Sequence, residues 1–361
     1  MKLSNELQKL QDARLAKINE LLAKAENDDE RFTISRMKGI GGSDMSAILG
    51  MSKWRSAYQI WREKTFRTTE EEKARNKDYL PFATGHALEQ VVADRYEKQT
   101  GYTVYEANSI SMTGGYDFIV GNFDRIVYTK PVKDGGQLVC GLECKSCGQN
   151  NKIIVEHIER SKWGKPNLYD GTELTQESSE IDPEYYPQVQ FYMMVSGLKF
   201  WDVGVLIGNT DLRFYRVHAN AEYQQKMLQA CVEFWTKNVL QDVAPVKTMD
   251  DVKNDVDDVQ ENVGEVTPEI MSQLKDIKAV KFQIDELESK RKALENKLAG
   301  DIAAYTKMTY HDENGKVKTA FTFKSSNRES FDSKAFQAQN PELYKQYLKT
   351  ITTARCLRIF V

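Results

Sequence analysis

Apolar residues recur along the chain with two different periods, and the changes between them outline its elements. The first 30 residues set apolar side chains at helical spacing among charges and end in the polar run AENDDE, which predicts a charged amphipathic helix. In SRMKGIGGSDMSAILGMSKWRSAYQIWREKTF the glycine cluster predicts a turn, Ser43 or Asp44 is placed to cap a helix, and helical periodicity follows. GHALEQVVADRYEKQTG puts Leu88, Val91, Val92 and Tyr96 on one helical face and stops at Gly101. The pattern then changes. TVYEANSISM, DFIVGNFDRIVYT and QLVCGLECKS are β-branched and aromatic runs between turn-forming clusters, and read as strands. A loop-rich stretch with Trp163, Gly164, Pro166 and Gly171 leads into the helix YYPQVQFYMMVSGL, then a hairpin, KFWDVGVLIGN with DLRFYRVHA, then a helix over about residues 222–238. This order predicts an α/β (α+β) fold, a mixed central sheet flanked by helices.

Beyond that core the character shifts again. Residues 250–265 hold seven acids against one lysine and read as a linker. Ile270, Leu274, Ile277, Val280, Ile284, Leu287, Leu294 and Leu298 then recur at three- and four-residue steps with one gap at Arg291, predicting a helix of about eight turns in a coiled-coil hairpin. Residues 314–361 carry nine Lys or Arg against three acids and mix a strand, KTAFTFKSS, with a helix, SKAFQAQNPELYKQYLK. Such a basic segment suits phosphates, or is simply a solvated face. The organisation is an N-terminal helix (1–30), a core (31–245), an acidic linker (246–266) and a C-terminal accessory region (267–361).

Composition narrows the class. With 40% hydrophobic and 10% aromatic residues the chain is a folded one, and a net charge of −3 gives no global sign of a nucleic-acid partner. No run reaches the roughly 18 apolar residues of a membrane span, and the N-terminus lacks the apolar core of a signal peptide, so a cytoplasmic location is expected. Cys140, Cys144, Cys147, Cys231 and Cys356 are odd in number and read as free thiols; the C-x-x-C pair lacks a second pair to complete a zinc or iron–sulfur site. His86 and His157 are two of only four histidines, and a histidine metal site is not expected.

Candidate chemistry centres on GLECKS. Successive side chains of a strand alternate faces, so Glu143 and Lys145 project together while Cys144 faces the other way. Asp124 in GNFDRIV precedes Glu143 by 19 positions. Carboxylates at such a point suit Mg²⁺, and a lysine beside them can orient or deprotonate water. On these residues alone, Glu143 and Lys145 are equally the polar face of an edge strand. Asp117 competes with Asp124, Asp44 reads as an N-cap before a ligand, and Trp54 and Trp61 read as core, with an entrance role for an aromatic as the alternative.

The pattern Asp…Glu-x-Lys is the signature of the PD-(D/E)xK nucleases, although Asn122 and Phe123 stand before the aspartate where that family has proline. Five segments together are more specific. SRMKGIGGSDMSAILGMSKWRSAYQIWREKT, ATGHALEQVVADRYEKQTGY, GNFDRIV, GLECKS and YYPQVQFYMMVSG resemble, in order and distance, blocks of the YqaJ-like viral recombinases, the lambda exonuclease family. The C-terminal FKSSNRESFDSKAFQAQNPELYKQYLKTITTARCLRIFV also resembles a tail of longer members. The resemblance implies a Mg²⁺-dependent 5′→3′ exonuclease on double-stranded DNA ends, with Mn²⁺ as a substitute. Its 3′ single-stranded tails would serve a single-strand annealing protein in phage-type recombination. It implies Asp124, Glu143, the Cys144 carbonyl and Glu89 as metal ligands, Lys145 positioning water, and Gln188 buttressing the site. It also implies Arg36 and Ser43 on the DNA 5′-phosphate, Tyr192 of the Q-x-x-x-Y helix as either a site residue or a core aromatic, and a homo-oligomer in the form of a trimeric ring. The competing readings are a structure-specific or Cas4-like endonuclease, and an inactive DNA-end-binding scaffold.

Overall fold

The computed structural model describes residues 3–69, 80–107, 109–112, 114–148, 152–155, 158–161, 163–174, 181–208, 210–254, 264–311, 315–322 and 331–348. Two units result, Met1–Val155 with Glu159–Asp251, and Val252–Val361 with Glu156–Ile158. The helices of the first are α1 (Asn5–Lys24), α2 (Asp28–Ser35), α3 (Met45–Ile48), α4 (Ala57–Lys64), α5 (Leu80–Thr100), α6 (Tyr186–Ser196) and α7 (Ala221–Glu233). A π-helical turn, Phe234–Leu240, extends α7, and α8 (Met249–Asn254) follows. The strands are β1 (Ile40–Gly41), β2 (Thr103–Glu106), β3 (Ile110–Met112), β4 (Tyr116–Gly121), β5 (Arg125–Tyr128) and β6 (Leu138–Cys147). Then come β7 (Lys152–Val155), β8 (Ile158–Ser161), β9 (Leu168–Tyr169), β10 (Thr172–Glu173), β11 (Phe200–Ile207) and β12 (Asp211–His218).

Five strands form the main sheet in the order β12-β11-β6-β5-β2. β6 and β11 are parallel and the other three pairings antiparallel, so the sheet is mixed, as the sequence pattern requires. A smaller sheet, β1-β4-β3, lies beside it in the chain. β6 has a paired strand on both sides, which removes the edge-strand reading of Glu143 and Lys145. Its even positions Cys140, Leu142 and Cys144 cluster with Val92 and Tyr96 of α5. On the opposite face, Trp201, Val203 and Val205 of β11 cluster with Val189, Phe191 and Met193 of α6. Each such burial contributes about 1.5–3 kcal/mol. Gly141 is required by this packing, since a Cβ there would stand 2.0 Å from Cζ2 of Trp201.

α1 is part of the first unit. Ser4 caps it, Trp235 Nε1 donates to Gln11 Oε1 at 3.0 Å, and Arg14 Nη2 donates to the Met37 carbonyl at 2.8 Å. α1 thereby holds the segment that carries Arg36. A second helix, α2, starts inside the polar run because Asn27 accepts from the Glu30 amide at 2.9 Å. The acidic stretch also begins docked: Asp251 is buried and accepts from Ser56 Oγ at 2.9 Å and from the Thr248 amide at 2.8 Å. Residues 255–263 of that stretch lie outside the described residues.

The second unit holds α9 (Pro268–Ile302), a hairpin of β13 (Lys307–His311) and β14 (Val317–Thr322), α10 (Ser333–Gln339) and α11 (Pro341–Gln346). The heptad segment is one unbroken helix of 35 residues rather than a hairpin of two. The physical reason is that no proline or glycine stands between Pro268 and Gly300, so nothing turns the chain there. Pro341 splits the final helix in two. The KTAFTFKSS residues 323–326, together with Cys356 and the end of the tail, lie outside the described residues. Among the described residues no helix is long and apolar enough to cross a membrane.

Candidate active site

One pocket gathers Phe32, Arg36, Gly42, Ser43, Glu89, Asn122, Asp124, Glu143, Lys145, Gln188 and Tyr192. All eight side chains singled out from the sequence for roles are among its walls. Register produces the centre of it. Arg125 pairs with Leu142, so Asp124, one residue before β5, falls beside Glu143 and Cys144, and its Oδ2 accepts from the Cys144 amide at 2.9 Å. Glu143 is fully buried. Its Oε1 accepts from Gln188 Nε2 at 2.7 Å and from Lys145 Nζ. Gln188 donates its other amide hydrogen to Tyr192 Oη, also at 2.7 Å, so one side chain of α6 fixes both groups. Glu143 Oε2 is buried without a hydrogen-bond partner.

An orphaned buried carboxylate oxygen is costly, and the electrostatics agree. Burial, then the neighbouring Asp124, push the Glu143 carboxyl up to about 8 against the pull of Lys145. Burial and Asp124 also raise Glu89, opposed by His86. Burial alone would lower Lys145, but Glu143 and Asp124 outweigh it and raise its ammonium. Lys145 Nζ also lies 5.1 Å from the Tyr185 ring centroid. The centre therefore gathers the carboxylates of Glu89, Asp124 and Glu143 around Lys145.

Beside it stands a cationic cluster. Asp44 is fully buried and does not cap α3; it is a charge hub. It pairs with Lys64 Nζ at 2.9 Å, Arg36 Nη2 at 3.3 Å and Arg55 Nη1 at 3.5 Å, and accepts from the Gly41 amide at 3.0 Å. Lys64 is itself fully buried and also donates to the Arg36 carbonyl at 2.9 Å. Arg55 pairs with Glu63 as well. Three cations against two carboxylates leave one positive charge in surplus. Arg36 Nη2 donates to Ser43 Oγ at 3.0 Å while part of its side chain stays open to solvent. The glycine turn is needed for close approach, because a Cβ on Gly42 would stand 2.5 Å from Cε1 of Tyr192. A guanidinium, a hydroxyl and a glycine-rich turn beside unbalanced positive charge suit an anion.

Glu89 reaches the pocket wall from α5, with His86 at 3.4 Å and Arg125 at 3.8 Å from its carboxylate. Asp117 is exposed on β4 and is not among the pocket residues. Trp61 is buried as expected, but Trp54 is 75% exposed. Ser52 Oγ accepts from the Trp54 and Arg55 amides and donates to Glu184, and this turn holds the indole outward. Cys140, Cys144 and Cys231 are buried free thiols and Cys147 is half-buried. His86 is exposed and His157 lies outside the described residues. Sequence reasoning missed Asn122 and Phe32 as pocket walls, and Lys64 and Arg55 as partners of Asp44. Asn122, two residues before Asp124 on the same turn, carried the only usable signal.

Residues 31–199 match the YqaJ-like viral recombinase domain. The chain is 28% identical over 339 residues to the YqaJ protein of Bacillus subtilis (strain 168), covering 91% of this chain and 94% of that one. Its fold is similar to that of an alkaline exonuclease from Laribacter hongkongensis, with a TM-score of 0.40, 18% identity, and coverage of 59% of this chain and 93% of that one. The same enzyme in complex with dAMP gives a TM-score of 0.40 at 18% identity, over 60% of this chain and 93% of that one.

Proposed function

We propose that this chain, whose residues 31–199 match the YqaJ-like viral recombinase domain, is a Mg²⁺-dependent exonuclease acting on double-stranded DNA ends. It degrades the 5′-terminated strand and leaves a 3′ single strand for an annealing protein. The observation that carries this reading is the meeting of Asp124, Glu143 and Lys145 with Arg36 and Ser43 in one pocket, hydrolytic centre and anion cradle side by side.

The residues present fit a divalent cation. Their donors are hard oxygens, and Glu143 Oε2 is a buried acceptor with nothing to accept from. Among the described residues no three Asp, Glu, His or Cys side chains form a ready cage. Mg²⁺ is commonly bound by one or two carboxylates plus water and phosphate oxygens. Asp124, Glu143 and the Cys144 carbonyl would hold it, with Glu89 on the adjoining wall. When bound, it supplies Lewis-acid activation of the phosphate and of water. Lys145, whose Nζ donates to Glu143, would orient water and offset phosphate charge. Gln188 fixes the Glu143 rotamer, and Arg36 with Ser43 receives the terminal phosphate.

Duplexes labelled at either end, with and without a 5′-phosphate, test the proposal in Mg²⁺ and in Mn²⁺. Loss of the 5′ label first, with closed circles intact, is expected. Cutting of circles would support the endonuclease reading instead. Arg36→Ala should slow digestion of phosphorylated ends about ten- to a hundredfold, the equivalent of one charge-assisted contact, and leave hydroxyl ends much less affected. Equal slowing on both would remove Arg36 from the phosphate site.

A further inference from the structure

α9 has no buried side chain over its 35 residues. Ile270, Ile277 and Ile284 fall on heptad a positions and Val280, Leu287 and Leu294 on d positions. These six are 40–68% exposed, and nothing described in their own unit covers them. A continuous apolar stripe of this length marks an interaction surface.

The flanking charges identify the occupant. At g, just before each a position, Glu269 and Asp276 stand in the first half of the helix and Lys290 and Lys297 in the second. We propose that a second copy of this chain covers the stripe, with the two α9 helices antiparallel. In an antiparallel pair a faces d and g faces g. The alignment that sets Ile277 against Leu287 of the second copy also sets Ile270 against Leu294 and Ile284 against Val280. It brings Glu269 to Lys297 and Asp276 to Lys290, each pair twice along the g flank. The gap in the stripe is then matched too, because Arg291 meets Gln273, polar against polar. A parallel pair would bury Arg291 against its own copy. The one like-charge meeting in the antiparallel pair is Lys281 with itself, on a solvated flank where such contacts matter little. The two Pro268 ends leave at opposite ends of a rod about 50 Å long.

Full-length protein in low salt, weighed by light scattering across a dilution series, tests this. Asp276→Lys and Lys290→Glu each turn two attractions into repulsions and should weaken pairing about tenfold. The double variant exchanges the charges and should recover wild-type association. In a parallel pair Asp276 meets Lys281 and Lys290 meets Glu295, so the double variant would associate worse than either single one. Failure to recover therefore overturns the proposal. Ile284→Asp combined with Leu287→Asp should halve the assembly mass while the circular dichroism of the first unit's sheet persists. An unchanged mass overturns the pairing.

Discussion

Glu143→Ala should lower DNA cleavage on the order of a thousandfold or more, while the protein still folds and binds duplex ends. On the proposed function the variant removes an oxygen ligand for the cation, and it leaves Lys145 and Gln188 without their shared acceptor. Loss of transition-state stabilisation by several kcal/mol corresponds to that factor. The fold should tolerate the change, because the lost group is a buried carboxylate with an unpartnered oxygen, repelled by Asp124. Lys145→Ala should cost on the order of a hundred- to a thousandfold, the usual cost of one preorganised donor. A second readout separates ligand loss from misfolding. If the proposed function holds, Mg²⁺ binds the folded state and should raise Tm for the wild type and Lys145→Ala, but much less for Glu143→Ala. Asp117→Ala, an exposed change outside the pocket, should keep most of its rate. Substantial cleavage by both Glu143→Ala and Lys145→Ala would place the chemistry elsewhere.

The half of the pocket around Glu143 was legible because strand geometry is local. Once GLECKS is a strand, alternation alone sets Glu143 and Lys145 on one side, and the turn before β5 sets Asp124 next to them. Gln188 and Tyr192 are four apart, so a helix presents both on one face, and the structure joins them by a hydrogen bond. The half around Arg36 and Ser43 was legible only as a list of residues. Asp44 looked like a cap because it precedes a helical run, and nothing local shows that Lys64, twenty positions on, folds back to meet it. Trp54 shows the same limit: its exposure follows from a turn anchored on Glu184, 132 positions from Ser52. The long helix was readable from its heptads, but whether it folds back on itself depends on a break that the sequence does not contain.

The buried hub supplies the second large effect. Asp44→Asn should destabilise the first unit by about 3–5 kcal/mol, because it leaves Lys64 fully buried with its principal countercharge gone. For a unit of this size that is roughly 6–20 °C in Tm. Burial would raise the Asp44 carboxyl, but Lys64, Arg36 and Arg55 outweigh it and hold it well below the usual range. A carboxyl depressed in the folded state adds stability above its unfolded value, and the contribution fades as pH falls below about 4. The wild type should therefore lose its advantage over Asp44→Asn on acidification, with the two melting curves converging. Replacing the pair together, Asp44→Leu with Lys64→Met, should recover part of the loss, since an uncompensated buried charge costs more than an apolar pair of similar volume. Cleavage of the double variant then carries separate information. Arg36 loses its anchor in both variants, so the preference for 5′-phosphorylated ends should stay low even where stability returns. A preference that recovers along with Tm would mean that Asp44 serves the fold alone and that Arg36 needs no such anchor.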